Sequence, residues 1–260
     1  VLVRNGDASV SSRAGVVGVY GTDRDHNGDG QSDLLVQNTR TWQISALLMD
    51  GAEVVSQVLL GRTDRNWWLQ GSADFDGDSQ PDLVLFNTGT GRRMIQTVHD
   101  LKFGPSYLLP GFDRALPIRA VGQMDGEGGS DLLYHDARTG RMLLWSMDGL
   151  DLVSETWLPG FGRFWQPVCA GDVTGDGVQE IIFYNARTRE TAWLPVGGGG
   201  QRNLNVLPVQ PVNWVPVSAI DLDGGGIASI IYRNTRTGEM RALVDGSLRV
   251  MRRTNGLSVR

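Results

Sequence analysis

Apolar residues in this chain fall in short runs rich in branched and aromatic side chains, each bounded by polar turn formers. Five runs stand out: Leu34-Leu35-Val36-Gln37, Leu83-Val84-Leu85-Phe86, Leu132-Leu133-Tyr134-His135, Ile181-Ile182-Phe183-Tyr184 and Ile230-Ile231-Tyr232-Arg233. They are too short for helices and predict buried strands. Each is preceded by one anchor residue, Asp33, Asp82, Asp131, Glu180 or Ser229, spaced 49 residues apart without a gap. Five residues after each anchor stands Asn38, Asn87, Asp136, Asn185 or Asn234, and three further on Thr41, Thr90, Thr139, Thr188 or Thr237. A period this regular marks a repeat protein.

Within one repeat the pattern predicts four strands. In the first, a strand runs from Val16 to about Thr22, an Asp-rich loop follows, and a second strand reaches Gln37. A hairpin at Asn38 to Thr41 leads to a third strand ending at Met49, then a turn at Asp50-Gly51 and a fourth strand to Leu60. Asp-Gly recurs at Asp148-Gly149 and Asp245-Gly246, and Asn-x-x-Thr-Gly suits tight hairpins. Four-stranded units of this length, five times over, predict an all-β, five-bladed β-propeller filling the chain as one domain. The blades are expected at about 16–63, 64–112, 113–161, 162–210 and 211–260. Residues 1–15 read as a spare strand, expected to pair onto blade 5 and close the ring, with Leu248 to Asn255 competing for that position.

The chain has 24 basic and 29 acidic residues and a pI of about 5.2, which argues against a broad nucleic-acid surface. Cys169 is the one cysteine and sits in an apolar strand pattern, so a buried thiol is expected. No stretch approaches the roughly 18 apolar residues of a membrane span. The missing initiator Met and signal peptide suggest a processed or excised piece of a longer, secreted protein.

The chemistry is concentrated before each anchor. Asp25-His-Asn-Gly-Asp-Gly-Gln-Ser-Asp33 places oxygen-bearing side chains at positions 1, 3, 5 and 9 of a glycine-bearing loop, a pattern suited to one hard cation, calcium. Repeat 1 offers Asp25, Asn27, Asp29 and Asp33, repeat 2 offers Asp74, Asp76, Asp78 and Asp82, and repeat 4 offers Asp172, Thr174, Asp176 and Glu180 with a weaker third ligand. Repeat 3 has Gln123, Asp125, Glu127, Gly129 and Asp131, and repeat 5 keeps Asp221 and Asp223 but has Gly225 and Ser229 at the last two positions. These two sets are incomplete. The loops are expected to act as metal staples that hold turns.

Asp-x-Asn-Gly-Asp-Gly-x-x-Asp, the aliphatic run, Asn-x-x-Thr-Gly and the later Met-Asp-Gly resemble the bacterial VCBS and FG-GAP-like repeats, related in pattern to integrin α-chain propellers. The likeness extends over residues 16–257. It implies that the Asp-rich loop joins the first two strands of a blade and binds calcium. The resemblance implies an architecture and a cation but little function.

In a four-stranded meander the Asp-rich loops share a face with the Asp-Gly turns, whereas the Asn-x-x-Thr hairpins share the other with the crossovers between blades. The second face is expected to carry Arg40, Arg138, Arg187 and Arg236 at one equivalent position, and Trp67, Trp165 and Trp214 at the start of the innermost strand. Guanidinium groups and aromatic rings suit an acidic or sugar ligand. His26, His99 and His135 are scattered, His135 beside Asp136 points away from its neighbour along a strand, and no nucleophile elbow, phosphate-binding loop or zinc-binding helix occurs. No catalytic residue is assigned. The expectation is a secreted or cell-surface, calcium-stabilised binding module for a glycan or a surface protein. Alternatives are a glycan-cleaving enzyme (glycosidase or lyase) using channel carboxylates and a passive structural module of a larger secreted protein.

Overall fold

The computed structural model describes residues 10–12, 15–20, 25–50, 53–111, 116–197, 203–222, 224–244 and 247–250. The described strands are assembled into five separate antiparallel sheets. Blade 1 contains β1 (Val10–Ser12), β2 (Gly15–Tyr20), β3 (Leu34–Asn38), β4 (Gln43–Asp50) and β5 (Glu53–Arg62). Blade 2 contains β6 (Trp67–Ala73), β7 (Asp82–Asn87), β8 (Arg93–His99) and β9 (Lys102–Leu108). Blade 3 contains β10 (Ile118–Gly122), β11 (Asp131–His135), β12 (Met142–Asp148) and β13 (Asp151–Leu158). Blade 4 contains β14 (Trp165–Gly171), β15 (Glu180–Asn185), β16 (Glu190–Leu194) and the short β17 (Asn205–Val206). Blade 5 contains β18 (Trp214–Ile220), β19 (Ser229–Asn234), β20 (Met240–Val244) and β21 (Ser247–Val250). Strands pair in chain order within every sheet, and the five sheets form a five-bladed β-propeller.

The uniformly apolar second strands are explained by where their two faces point. Leu34, Leu83, Leu132, Ile181 and Ile230 enter the seam with the preceding blade, as do Val36, Leu85, Tyr134, Phe183 and Tyr232 two residues on; for Leu34 and Val36 the preceding blade around the ring is blade 5. The intervening Leu35, Val84, Leu133, Ile182 and Ile231 enter the seam with the following blade. A strand buried on both faces loses the polar alternation of a half-exposed one. The result is five apolar cores, one per seam. Cys169 is buried in the core between blades 4 and 5, and burial pushes its thiol pKa up.

The described part of the N-terminal segment lies elsewhere than the sequence led us to expect. Strand β1 pairs antiparallel with β2, Val10 opposite Val17 and Ser12 opposite Gly15, and so lies on the inner edge of blade 1 rather than on blade 5. A two-residue link between β1 and β2 favours this local hairpin, since two residues reach only about 7 Å. The outer position of blade 5 is filled by β21, paired with β20. Residues 1–9 and 251–255, the rest of the two proposed closing segments, lie outside the described residues. Among the described residues the first and last blades meet through an apolar seam: Leu34, Val36 and Met49 of blade 1 pack with Val217, Ile220, Leu222, Ile231 and Ala242 of blade 5.

A second contact recurs around the ring on the Asp-loop face. The residue just before the anchor donates its N–H to the first loop residue of the preceding blade: Ser32 to the Asp221 carbonyl (3.3 Å), Gln179 to Gln123 (2.7 Å) and Ala228 to Asp172 (2.6 Å). At the equivalent place in blade 2 stands Pro81, which has no N–H.

On the opposite face the hairpins between second and third strands are built alike. Asn38, Asn87, Asp136, Asn185 and Asn234 each accept, through Oδ1, the N–H groups two and three residues on. The residue after Thr then takes positive φ: Gly91, Gly140 and Gly238, but also Trp42 (61°) and Arg189 (66°). The left-handed region costs an L side chain about 1 kcal/mol. Arg189→Gly is therefore expected to stabilise the protein by about 0.5–1 kcal/mol, less any gain in unfolded-chain entropy. Urea unfolding checks it, and an unchanged or lower midpoint would mean that Arg189 contributes a compensating contact.

Candidate metal loops and the opposite face

The Asp-rich loops are shaped by their own first residue. Asp25 accepts N–H bonds from Gly28 (2.5 Å), Asp29 (2.9 Å) and Gly30 (2.6 Å). Asp74 does the same with Gly77 (2.7 Å) and Ser79 (2.8 Å), and Asp172 with Gly175 (2.6 Å) and Gly177 (2.7 Å). Closing the loop on this carboxylate gathers the third and fifth side chains beside it. In blade 1 Asn27 donates to Asp29 (2.8 Å), and in blade 4 the Thr174 hydroxyl lies 3.2 Å from Glu180 and 3.5 Å from Asp172. In blade 2 oxygens of Asp74, Asp76 and Asp82 lie within 4.8 Å of one another, a grouping that can hold a metal ion.

The incomplete loops keep the turn with fewer carboxylates. Gln123 of blade 3 accepts from Gly126 (2.9 Å) and donates back to the carbonyls of Glu127 and Gly128. Asp221 of blade 5 accepts from Gly224 (2.9 Å) and Gly226 (2.7 Å), while Asp223 lies outside the described residues.

The anchors have a second task that their spacing alone does not reveal. Asp33 accepts from the N–H of His26 and of Met49, both at 2.9 Å. Asp82 accepts from Phe75 and Val98 (3.0 Å each) and Asp76 (3.3 Å), and Asp131 from Met124 (2.8 Å), Asp125 and Met147 (3.2 Å each). Each of these buried carboxylates ties the loop to the end of the third strand. Glu180 reaches the loop alone, through Val173 (2.9 Å) and Thr174.

Burial is the main reason these carboxyl pKa values are high: about 6 for Asp33, Asp82 and Asp131, and about 7 for Glu180. Backbone donors partly offset it and neighbouring loop carboxylates add to it. A carboxylic acid with a folded pKa above its unfolded value holds its proton more tightly when folded, so stability rises as pH falls through that window. His135 opposes this, because burial and then Arg119 lower its pKa to about 4. Four groups outweigh one. Metal-free protein taken from pH 7 to pH 5 is expected to gain on the order of 5 °C in Tm, measured by calorimetry in chelator. With saturating calcium the trend should reverse, since cation binding needs ionised carboxylates. A metal-free Tm that falls on acidification would refute the assignment.

Blade 2 adds a residue that the nine-residue loop does not include. His99, at the end of β8, places Nδ1 2.6 Å from Asp78 Oδ2 and Nε2 3.5 Å from Asp76 Oδ2. Its side chain is 43% exposed, and the hydrogen bond to Asp78 raises its pKa. The signal in the sequence was positional: Asp50, Asp148 and Gly197 stand at this place in blades 1, 3 and 4.

On the opposite face, Arg40, Arg138, Arg187 and Arg236 sit at the hairpin tips, all exposed, each donating its backbone N–H in the turn, and the Arg138 guanidinium lies 3.9 Å from Asp136. Arg163 and Arg187 lie over the Phe164 ring, 4.7 and 5.3 Å from its centroid. The three equivalent tryptophans do not converge. Trp67 packs against the core between blades 1 and 2, Trp165 against that between blades 3 and 4, and Trp214 is buried between blades 4 and 5 beneath the Arg241 guanidinium (4.3 Å). His135 is buried, while Asp136 is occupied in capping its hairpin through Arg138 and Thr139.

Residues 25–85 match the FG-GAP-like repeat family. No curated protein matches the chain in sequence. Among solved structures, a chain of the Photorhabdus luminescens Tc holotoxin pore is 19% identical with a TM-score of 0.51, over 90% of this chain and 11% of that one. The β-propeller domain of Cps50 (Swd1) from Myceliophteria thermophila is 10% identical with a TM-score of 0.43, over 95% of this chain and 75% of that one. The present chain thus spans about a tenth of the toxin chain it resembles. The matched segment holds the complete loops of blades 1 and 2, and the same anchors return at the 49-residue period in a ring of five sheets: the chain is a five-bladed β-propeller whose residues 25–85 are similar to the FG-GAP-like repeat family.

Proposed function

We propose that the chain is a calcium-stabilised binding module of a secreted or cell-surface protein, non-catalytic, that holds a glycan or surface protein on its arginine-bearing face. The observation that carries this reading is the division of labour between faces. Carboxylates on one face are engaged with their own loops, while Arg40, Arg138, Arg187 and Arg236 on the other leave their guanidinium groups exposed. Guanidinium groups bind carboxylates and sulfates through paired hydrogen bonds, which suits an acidic glycan or an acidic protein patch. Calcium at the loops of blades 1, 2 and 4 acts as a staple. Extracellular loops of this kind bind weakly, and millimolar calcium would then add on the order of 1 kcal/mol per site. That fits a protein working outside the cell, as a ring within a larger chain.

An array of acidic and neutral glycans, probed with folded protein in calcium and in chelator, tests the reading. Binding to acidic glycans that weakens with salt and falls at least tenfold in the Arg40→Ser, Arg138→Ser, Arg187→Ser and Arg236→Ser quadruple variant is the expected result. Glycan binding indifferent to these changes would move the site off this face. No binding to the array or to surface proteins would leave the passive structural module in its place.

A further inference from the structure

We propose that the tip of blade 4 is an anion-binding subsite, formed by Arg163, Arg187 and Arg189 around Phe164, that takes the carboxylate and sulfate groups of an acidic glycan. This rests on reading the arginine-bearing face as the binding face, and it assigns the ligand's charged groups to one blade. Two segments meet there: the crossover into blade 4 ends at Arg163 and Phe164, and the hairpin between β15 and β16 carries Arg187 and Arg189.

Blade 4 departs from its neighbours in charge, in packing and in backbone. The Arg163 and Arg187 guanidiniums share one ring, 4.7 and 5.3 Å from the Phe164 centroid, so two like charges are held within about 10 Å, roughly one Debye length at 0.1 M salt. Neither forms an ion pair among the described residues, whereas the Arg138 guanidinium of blade 3 lies 3.9 Å from Asp136. The ring that gathers them belongs to this blade, since Asn66, Ala115 and Asn213 stand at its place in the other crossovers. Arg189 keeps a left-handed backbone, φ 66°, where blades 2, 3 and 5 have Gly91, Gly140 and Gly238. Residues held in that region cost stability and cluster at ligand sites. A guanidinium resting on a ring uses its flat face, and its N–H donors, which lie in its plane, stay available for paired bonds to an oxyanion. Stacking also reduces the rotamer freedom left to be lost on binding. From Ala186 to Arg189 every residue is exposed and none is large and apolar, so the tip lacks the buried anchor on which protein interfaces centre. A linear polyanion with neighbouring charges fits it better than a folded partner.

The test titrates the full chain with a sulfated uronic-acid oligosaccharide, its neutral counterpart and polyaspartate of equal charge. The expected result is binding of the sulfated oligosaccharide alone, weakened by salt and roughly fivefold or more weaker in Arg163→Ser and in Arg187→Ser. Phe164→Leu keeps every charge but frees the guanidiniums, and should weaken binding by a smaller factor with the same salt dependence. Arg189→Gly is the decisive variant: its affinity should fall roughly threefold or more while its urea midpoint does not fall, so that poor folding cannot account for the loss. Blade 4 variants that bind like the native chain would overturn the proposal; if the Arg40→Ser, Arg138→Ser and Arg236→Ser triple variant then loses binding, the reading of the face stands without it. Polyaspartate bound as tightly as the oligosaccharide would overturn the glycan assignment in favour of an acidic protein patch. A native chain that binds none of the three would overturn both the subsite and the acidic-ligand reading of the face.

Discussion

Asp131→Ala is expected to destabilise the protein by about 2–4 kcal/mol, a fall of roughly 5–15 °C in Tm for a chain of this size, equally in calcium and in chelator. Asp131 is fully buried and accepts the N–H groups of Met124, Asp125 and Met147. Alanine leaves those donors without a partner where water does not reach, and a buried donor left unsatisfied costs its full desolvation penalty. Blade 3 isolates this structural effect because Gln123 replaces the first carboxylate of its loop. Calorimetry with and without calcium reads the outcome. A loss confined to calcium would show that Asp131 matters as a ligand. Asp33→Ala should show the same basal loss and, in addition, lose part of the rise that calcium produces.

Trp145→Ala should cost about 3–5 kcal/mol and lower Tm by roughly 10 °C. Trp145 is wholly buried between blades 2 and 3, edge-on to Tyr134 with ring centroids 5.0 Å apart, and Val84, Ile95 and Met147 belong to the same core. The cavity left by an indole cannot close without moving two sheets whose strands are each tied in their own ladders. Trp157→Ala, on β13 of the same blade, is the control: its ring is 38% exposed beneath Arg141, and its loss should cost no more than about 1 kcal/mol. Chemical denaturation of both variants measures the contrast. Similar losses would mean that the seam, unlike most protein interiors, relaxes to fill the gap.

The fold was legible because the demand on each second strand is severe. Burial on both faces allows few residue types, so Leu34 to Val36 and its four counterparts read as strands, and the 49-residue spacing then fixes the architecture. The Asp-rich turns were legible for a similar reason, since each is closed by N–H bonds of its own loop to the first residue's side chain. Contacts that cross between elements were not. His99 lies 17 residues beyond the anchor Asp82 and outside the loop pattern, so only the pairing of β7 with β8 brings it to Asp78. Arg93, which no repeat motif marks, is 3% exposed, with its guanidinium donating to the Leu116 carbonyl and lying over Phe86 and Tyr134. Its long aliphatic stem and flat head satisfy a seam that a residue-by-residue hydropathy pattern treats as apolar. The destination of β1 was misread because the need to close a ring was weighed above the short link that binds it to its neighbour.

The way the ring is closed bears on how such a chain changes over evolutionary time. Among the described residues no sheet mixes strands from the two ends: β1 to β5 are consecutive, and so are β18 to β21. The described strands of each blade are therefore one contiguous stretch of coding sequence. Unequal recombination that copies or deletes 49 residues would add or remove a whole wedge without splitting a sheet. A ring with a shared closing sheet would have to preserve both ends through each such event; the sheets described here need an apolar flank on whichever blades become neighbours.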